Sequence, residues 1–203
     1  MHKLFFALSL TLITAAATLA QDLSSSSIST GFYKGRTNIS LGHGFGNFSQ
    51  SLFKTAEKTE GYTYQGLGPY HAKIEYALTD HSGLGVSFNY AGSMIGYDAD
   101  VMGQSTRQKL NWNGFSALIR YNYHFMTGTR FDPYIGAGMG FRWSKYQYGV
   151  DAAEKESVTL PSLFPLGFEM TVGARYYLIP NLALYGEGGL AKGILQVGLV
   201  GSF

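Results

Sequence analysis

Seven ionisable residues stand at alternate positions of strand-like runs: Lys73, Glu75, Arg120, Arg142, Glu169, Arg175 and Glu187. In PYHAKIEYALTD, His71, Lys73, Glu75, Ala77 and Thr79 share one side, and Tyr70, Ala72, Ile74, Tyr76 and Leu78 share the other. Charges confined to one side of such runs face a common interior, and ions withdrawn from water must pair. The first chemistry on offer is therefore a set of internal salt bridges. Counting from the short turns places Glu75, Arg120 and Glu187 at similar depth, with Arg120 and Glu75 as a pair, and Arg142 with Glu169 higher on neighbouring runs. The same charges would also suit an ion path. Hydrolysis or acyl transfer is the third class, and it needs a nucleophile within reach of a base. His124 falls at the short-turn end of its run and no His-x-Ser pair is present, so only His71 with loop serines speaks for an enzyme, and none is expected. The glycine-rich GYTYQGLG opens no helix and is not a phosphate cradle. No spaced histidine or carboxylate set suggests a metal, and no cofactor is expected.

These side chains need elements that hold them on one face. Alternation with period two recurs from about residue 36 to the end, which is the strand signal. In GLGVSFNYAGS, Leu84, Val86, Phe88 and Tyr90 oppose Gly85, Ser87, Asn89 and Ala91. In NGFSALIRYNYHF, Phe115, Ala117, Ile119, Tyr121, Tyr123 and Phe125 oppose Ser116, Leu118, Arg120, Asn122 and His124. The run PYIGAGMGFRWS sets Ile135, Ala137, Met139, Phe141 and Trp143 against Gly136, Gly138, Gly140, Arg142 and Ser144, and LGFEMTVGARYYL repeats the pattern. Weaker runs at about 36 to 47, 181 to 190 and 193 to 203 bring the total to eight strands. Short turns fall near 79 to 83, 126 to 132 and 179 to 181. Long polar loops are expected at about 47 to 68, 93 to 110 and 145 to 163, and the last link, around GGLAKG, is tight. Short links on one rim and long ones on the other predict an all-β, eight-stranded antiparallel up-and-down transmembrane β-barrel.

The start of the chain stands apart from this pattern. MHKLFFALSLTLITAAATLAQ has a basic start, an apolar run and small residues before Gln21, the plan of a secretory signal peptide over residues 1–20. Residues 21–35 then read as a periplasmic N-terminal segment and 36–203 as the barrel. With no cysteine, an exported chain has neither disulfides nor a lipoprotein anchor. Charged residues are only 14% of the chain, below the roughly 25% of ordinary soluble domains. A net charge of +2 without a basic block gives no reason to invoke nucleic acid.

Period two alone does not say which face is outside, since a soluble barrel turns its apolar side inward. Glycines 136, 138 and 140 on one face suit a crowded interior, the polar faces carry too few charges for a solvated surface, and Tyr76, Tyr123, Phe125, Tyr176 and Trp143 gather near strand ends as interface girdles do. The tail LQVGLVGSF is the eighth strand, with Leu195, Val197, Leu199 and Phe203 in phase on the outward side.

The signal peptide, the eight strands, PYIGAGMGF, LYGEGG and the terminal phenylalanine together resemble the small outer-membrane barrel family that includes the OmpA transmembrane domain, OmpX and OmpW-like proteins. The resemblance implies a place in the outer membrane of a Gram-negative bacterium among its lipids and lipopolysaccharide, and a C-terminal signal read by the barrel-assembly machinery. It departs from OmpA in stopping at the barrel, so no peptidoglycan-binding domain is implied. Such a protein is expected to serve a structural or surface-interaction role through long extracellular loops, with a small or gated pore as the alternative. Phe53, Tyr62, Tyr64, Tyr97, Tyr146 and Tyr148 fall in those loops, where tyrosines suit contact with an extracellular protein or glycan.

Overall fold

A computed structural model describes residues 30–47, 61–101, 104–150 and 165–203. The expected signal peptide and Phe53 lie outside the described residues. Eight strands follow in chain order: β1 (Thr37–Asn47), β2 (Thr63–Ala77), β3 (Ser82–Val101), β4 (Gln104–His124), β5 (Phe131–Val150), β6 (Leu166–Ile179), β7 (Leu182–Leu190) and β8 (Gly193–Ser202). Each pairs antiparallel with its neighbours in sequence, and β1 pairs with β8 from Asn38↔Ser202 to Asn47↔Gly193, closing the barrel. Reciprocal backbone bonds between Thr37 and Phe203, both 2.9 Å, fasten that seam at its end. Closure leaves no unpaired edge, which is the condition for placing strands in hydrocarbon.

The alternation resolves as written in the sequence, with the apolar side outward. Ile119 is 63% exposed, Met139 62%, Val172 66% and Phe168 59%, whereas Lys73, Glu75, Arg120, Glu169, Arg175 and Glu187 are buried. Tyr76, Tyr123, Phe125, Phe131 and Tyr176 ring the short-turn end. Toward the other end Phe88, Phe115, Trp143 and Phe141 form an aromatic row, stacked from Phe88 to Trp143 and tilted at Phe141, with centroid distances of 6.3, 5.7 and 6.1 Å between successive rings. From Phe115 to Phe125 the chain advances about 33 Å, which at a strand tilt of about 40° gives a belt about 25 Å high. That is the height of the apolar band of a transmembrane barrel.

The strands run further than the sequence pattern implies. The stretch expected as a loop at 93 to 110 is a hairpin in register from Ser93↔Trp112 to Val101↔Gln104, and β5 rises beside it with Gln108↔Val150. Arg107 binds it together: its guanidinium lies 3.1 Å from Asp98 Oδ1 and donates to Gly61 O (2.9 Å) and Thr63 Oγ1 (2.9 Å). Polar residues fall on both faces of this segment, Asp98 with Arg107 on one and Gln108 beside Ile95, Tyr97 and Leu110 on the other, so the alternation is blurred, and cross-strand pairs help to hold it. β2 likewise begins at Thr63 and β5 continues to Val150, inside the other two expected loops.

The segment before β1 closes the short-turn end. Phe32 is fully buried and stacks on His124 with ring centroids 3.5 Å apart. The Arg36 guanidinium donates to the Gly31 and Pro180 carbonyls and lies over the rings of Tyr33 (5.0 Å) and Tyr177 (5.2 Å). Burial draws Arg36 below its ordinary pKa, and the two tyrosines oppose that pull. Gly31 has φ of +105°, and a Cβ there would sit 2.2 Å from Thr129 O, so the bend into the barrel mouth requires glycine. Residues 30–35, the described part of the segment expected ahead of the barrel, thus form with Arg36 a stopper at its short-turn end.

Candidate functional site

The interior is built around glycines that leave room for long polar side chains. Arg120 pairs with Gly138 and Gly138 with Glu169, so a residue without a side chain separates an arginine from a glutamate on the same level. Arg120 Nη1 meets Glu169 Oε1 at 3.0 Å across it. A Cβ on Gly136 would come within 2.3 Å of Arg120 Nη2, and one on Gly138 within 2.8 Å of Glu169 Cγ. The glycine face of β5 is thus the space the charges occupy.

Two clusters fill that space. In the first, Arg120 also donates through Nη2 to Thr171 Oγ1 (2.7 Å) and through Nε to Asn122 Oδ1 (2.7 Å), with Nη2 3.1 Å from Glu187 Oε1. Glu187 further accepts from Lys73 Nζ (2.7 Å) and Tyr134 Oη (2.7 Å), Lys73 donates to Gln196 Oε1 (2.8 Å), and Ser87 Oγ donates to Glu169 Oε1 (3.0 Å). In the second, Glu75 accepts from Arg175 Nη2 and from Asn122 Nδ2 (2.6 Å), and its Oε1 lies 3.1 Å from His124 Nε2. The other ring nitrogen of His124 faces Asp132 Oδ1 at 2.7 Å, and Arg175 stacks over Tyr134 at 4.8 Å. Asn122 and Tyr134 join the clusters. Desolvated charges in such a network are tolerable because each is paired and hydrogen-bonded at once.

The seven charged residues expected inside are all on the inward side, yet two of the expected partnerships change. Arg120 bonds Glu169 and Glu187, whereas Glu75 bonds Arg175 and His124. Arg142 has no carboxylate partner among the described residues and stands at the level of Ser116, above Glu169. Register alone does not choose the partners: Arg120 is level with Glu75 through Gly85 as it is with Glu169 through Gly138, but the Glu75 carboxylate turns toward Gly83, where Asn122, His124 and Arg175 hold it, and Arg142 stands further along β5 than Gly138, the partner of Glu169. His124, Asp132 and Tyr134 were not singled out as network members. Their signal was present, since Asp132 and Tyr134 continue the phase of Gly136, Gly138 and Gly140.

The tyrosines expected in loops lie at the projecting end, and four of them are on strands: Tyr64 on β2, Tyr97 on β3, and Tyr146 and Tyr148 on β5, with Tyr62 just ahead of β2. Tyr97 Oη donates to Gln108 Oε1 at 3.1 Å, and Tyr148 Oη donates to the same oxygen. These two brace the projecting wall. Leu195, Val197 and Leu199 are exposed on β8, and Phe203 is exposed just past its end. His71 Nδ1 lies 2.5 Å from Asn89 Oδ1, and neither His71 nor His124 bonds a serine hydroxyl among the described residues. No group of three or more His, Asp or Glu there has metal-holding geometry.

Apolar outside, charged inside and closed on itself, the molecule has the construction of a transmembrane β-barrel. It is similar in structure to small barrels already solved. The N-terminal β-barrel domain of Pseudomonas aeruginosa OprF matches with 20% identity over 84% of this chain and 99% of that one, at a TM-score of 0.41. Ail, the attachment invasion locus protein of Yersinia pestis, matches with 13% identity over 84% and 99% (TM-score 0.44), and OprG of P. aeruginosa with 12% over 85% and 98% (TM-score 0.46). No protein-family model matches the chain, and no curated protein matches it. At these identities and TM-scores the likenesses assign no activity, and the barrel stands on its own closed ring of pairings.

Proposed function

We propose that the protein is an outer-membrane barrel of a Gram-negative bacterium whose lumen is sealed, and that it holds a projecting β-wall at the cell surface in a structural and surface-interaction role. One observation carries this reading. At the height of the apolar belt the interior is occupied by the Arg120 and Glu75 clusters, with Phe32 and Arg36 stopping the end below, while β3 and β4 continue past the upper aromatic row as an ordered hairpin. Extended strands cost conformational entropy to order, and a wall braced by Arg107 and Gln108 presents a fixed surface rather than a floppy loop. The short turns then face the periplasm and the hairpin the exterior.

On this reading the outer-membrane lipids and lipopolysaccharide surround the exposed belt. Leu195, Val197, Leu199 and Phe203 form the segment read by the assembly machinery, and the hairpin rim with Tyr62, Tyr64 and Tyr146 is the contact surface for an extracellular protein or glycan. Chemistry on a substrate is not part of this role. Planar-bilayer recording of the detergent-folded protein tests the sealed lumen, with a heat-modifiable gel shift confirming folding. The expected result is no conductance, and reproducible current steps from folded protein would overturn the reading in favour of a pore.

A further inference from the structure

Below the level of Asn89 the inward cations meet carboxylates: Lys73 meets Glu187, Arg120 meets Glu169 and Glu187, and Arg175 meets Glu75. Above it the pattern stops. Lys192, in the turn between β7 and β8, is only 9% exposed, and its Nζ donates to the Asn89 carbonyl of β3 at 3.1 Å. It therefore spans the mouth of the barrel instead of reaching out to water. Asn89 pairs with Ser116 and Ser116 with Arg142, so Arg142 stands two strands along, about 10 Å between backbones, with its side chain on the same inward face. Arg142 Nε is buried without a hydrogen-bond partner. Neither cation has an ion pair among the described residues.

Among the described residues, the polar groups nearest this pair are neutral or basic. Asn89 Nδ2 donates to Ser87 (3.4 Å) and Ser116 (3.3 Å), which fixes its Oδ1 toward His71. His71 thus spends its Nδ1 proton on Asn89, and its Nε2 lies against β1, within 2.7 Å of where a Cβ on Gly44 would be. One layer deeper, Lys73 is held by Glu187 and Gln196, and Glu169 by Arg120 and Ser87. Burial first, and the charge of Arg142 second, pull the Lys192 ammonium down to about 7. Two cations sharing one cup, one buried and both without a counter-ion among the described residues, are an electrostatic arrangement that an incoming anion completes.

We propose that Lys192 and Arg142 form an oxyanion site at the outer mouth of the barrel, taking a sulfate or phosphate group as a free ion or as an ester carried on a glycan. This goes beyond the surface role and holds whether or not the lumen conducts. Arg142 offers a planar set of donors suited to such oxygens, and Lys192 keeps further N–H donors beyond the one given to Asn89. The bound anion also favours the charged lysine, so binding at pH 7 draws a proton from solution.

The test is calorimetric titration of the folded mature protein in detergent at pH 7, with sodium sulfate in one arm and a sulfated disaccharide in the other. Sulfate does not titrate near neutrality, so repeating its arm in two buffers of different ionisation heat reports proton uptake by the protein alone. Saturable sulfate binding, weakened about tenfold or more in both Lys192→Gln and Arg142→Gln, supports a free-ion site. Binding of the disaccharide alone, with the same losses, supports an ester site. The wild-type protein is expected to take up a fraction of a proton per anion bound. Binding without proton uptake, binding unchanged in the two variants, or no saturable binding to either probe overturns the proposal. The uptake measurement needs no variant, and the gel shift confirms that each variant has folded.

Discussion

Replacing Arg120 by methionine tests the interior most sharply. The arginine is 3% exposed and serves Glu169, Glu187, Thr171 and Asn122 together. Methionine occupies much of the same volume without the charge, so the loss is electrostatic rather than a cavity. Glu187 keeps Lys73 and Tyr134, whereas Glu169 keeps only the Ser87 hydroxyl. Removing one side of a buried pair costs about 3 to 5 kcal/mol, because the other charge is left behind. Glu169→Gln alone leaves Arg120 with Glu187 and costs about 1 to 2 kcal/mol. In the double variant no carboxylate is stranded at position 169, so the two changes together cost less than their sum by about 2 kcal/mol. Arg120 and Glu75 share only Asn122, and their coupling is expected to stay at about 0.5 kcal/mol or below. Urea unfolding in lipid vesicles, followed by the fluorescence of Trp112 and Trp143, measures both cycles. Strict additivity for Arg120 with Glu169, or a larger coupling for Arg120 with Glu75, would refute the network as drawn.

Two further outcomes follow from the same geometry. Ile119→Arg places a charge on the exposed side of β4 between Val86 and Met139 and is expected to cost about 2 to 4 kcal/mol by the same vesicle assay, a neutral effect arguing against lipid at that position. Phe32→Ala removes the ring stacked on His124 and is expected to cost about 3 kcal/mol, and an effect within about 0.5 kcal/mol would show that residues 30–36 are not part of the cooperative fold.

The strands and their facing were legible because burial writes itself into a period of two. Ile119 and Arg120 are adjacent in sequence and lie on opposite sides of the wall, and nothing beyond alternation was needed to say so. What lay beyond reach depends on registers and on contacts distant in sequence. Arg120 is level with both Glu75 and Glu169, and the one it meets is decided by side-chain direction, since the Glu75 carboxylate turns toward Gly83 and is held by Arg175 and His124. Phe32, ahead of β1, meets His124 at the end of β4, and no local pattern marks it. The hairpin of β3 and β4 was hidden because Asp98 and Arg107 stabilise it by pairing, whereas their composition reads as a loop. Lys192 sat in a tight turn, where a lysine ordinarily points to water, and only the fold shows it crossing to Asn89.

The central claim is the facing of the wall, with lipid outside and a packed polar interior. The chain contains no cysteine, so single cysteines at Ile119, Met139 and Val172, and at the inward Ser87 and Ser116, can each carry a nitroxide in vesicle-folded protein. Collision rates with oxygen, which concentrates in hydrocarbon, and with a water-soluble nickel chelate then report the surroundings of each site. Labels at Ile119, Met139 and Val172 are expected to meet oxygen readily and the chelate hardly at all, while those at Ser87 and Ser116 meet little of either. Ready access of the chelate to Ile119, Met139 and Val172 would contradict the account, because the apolar belt would then face water.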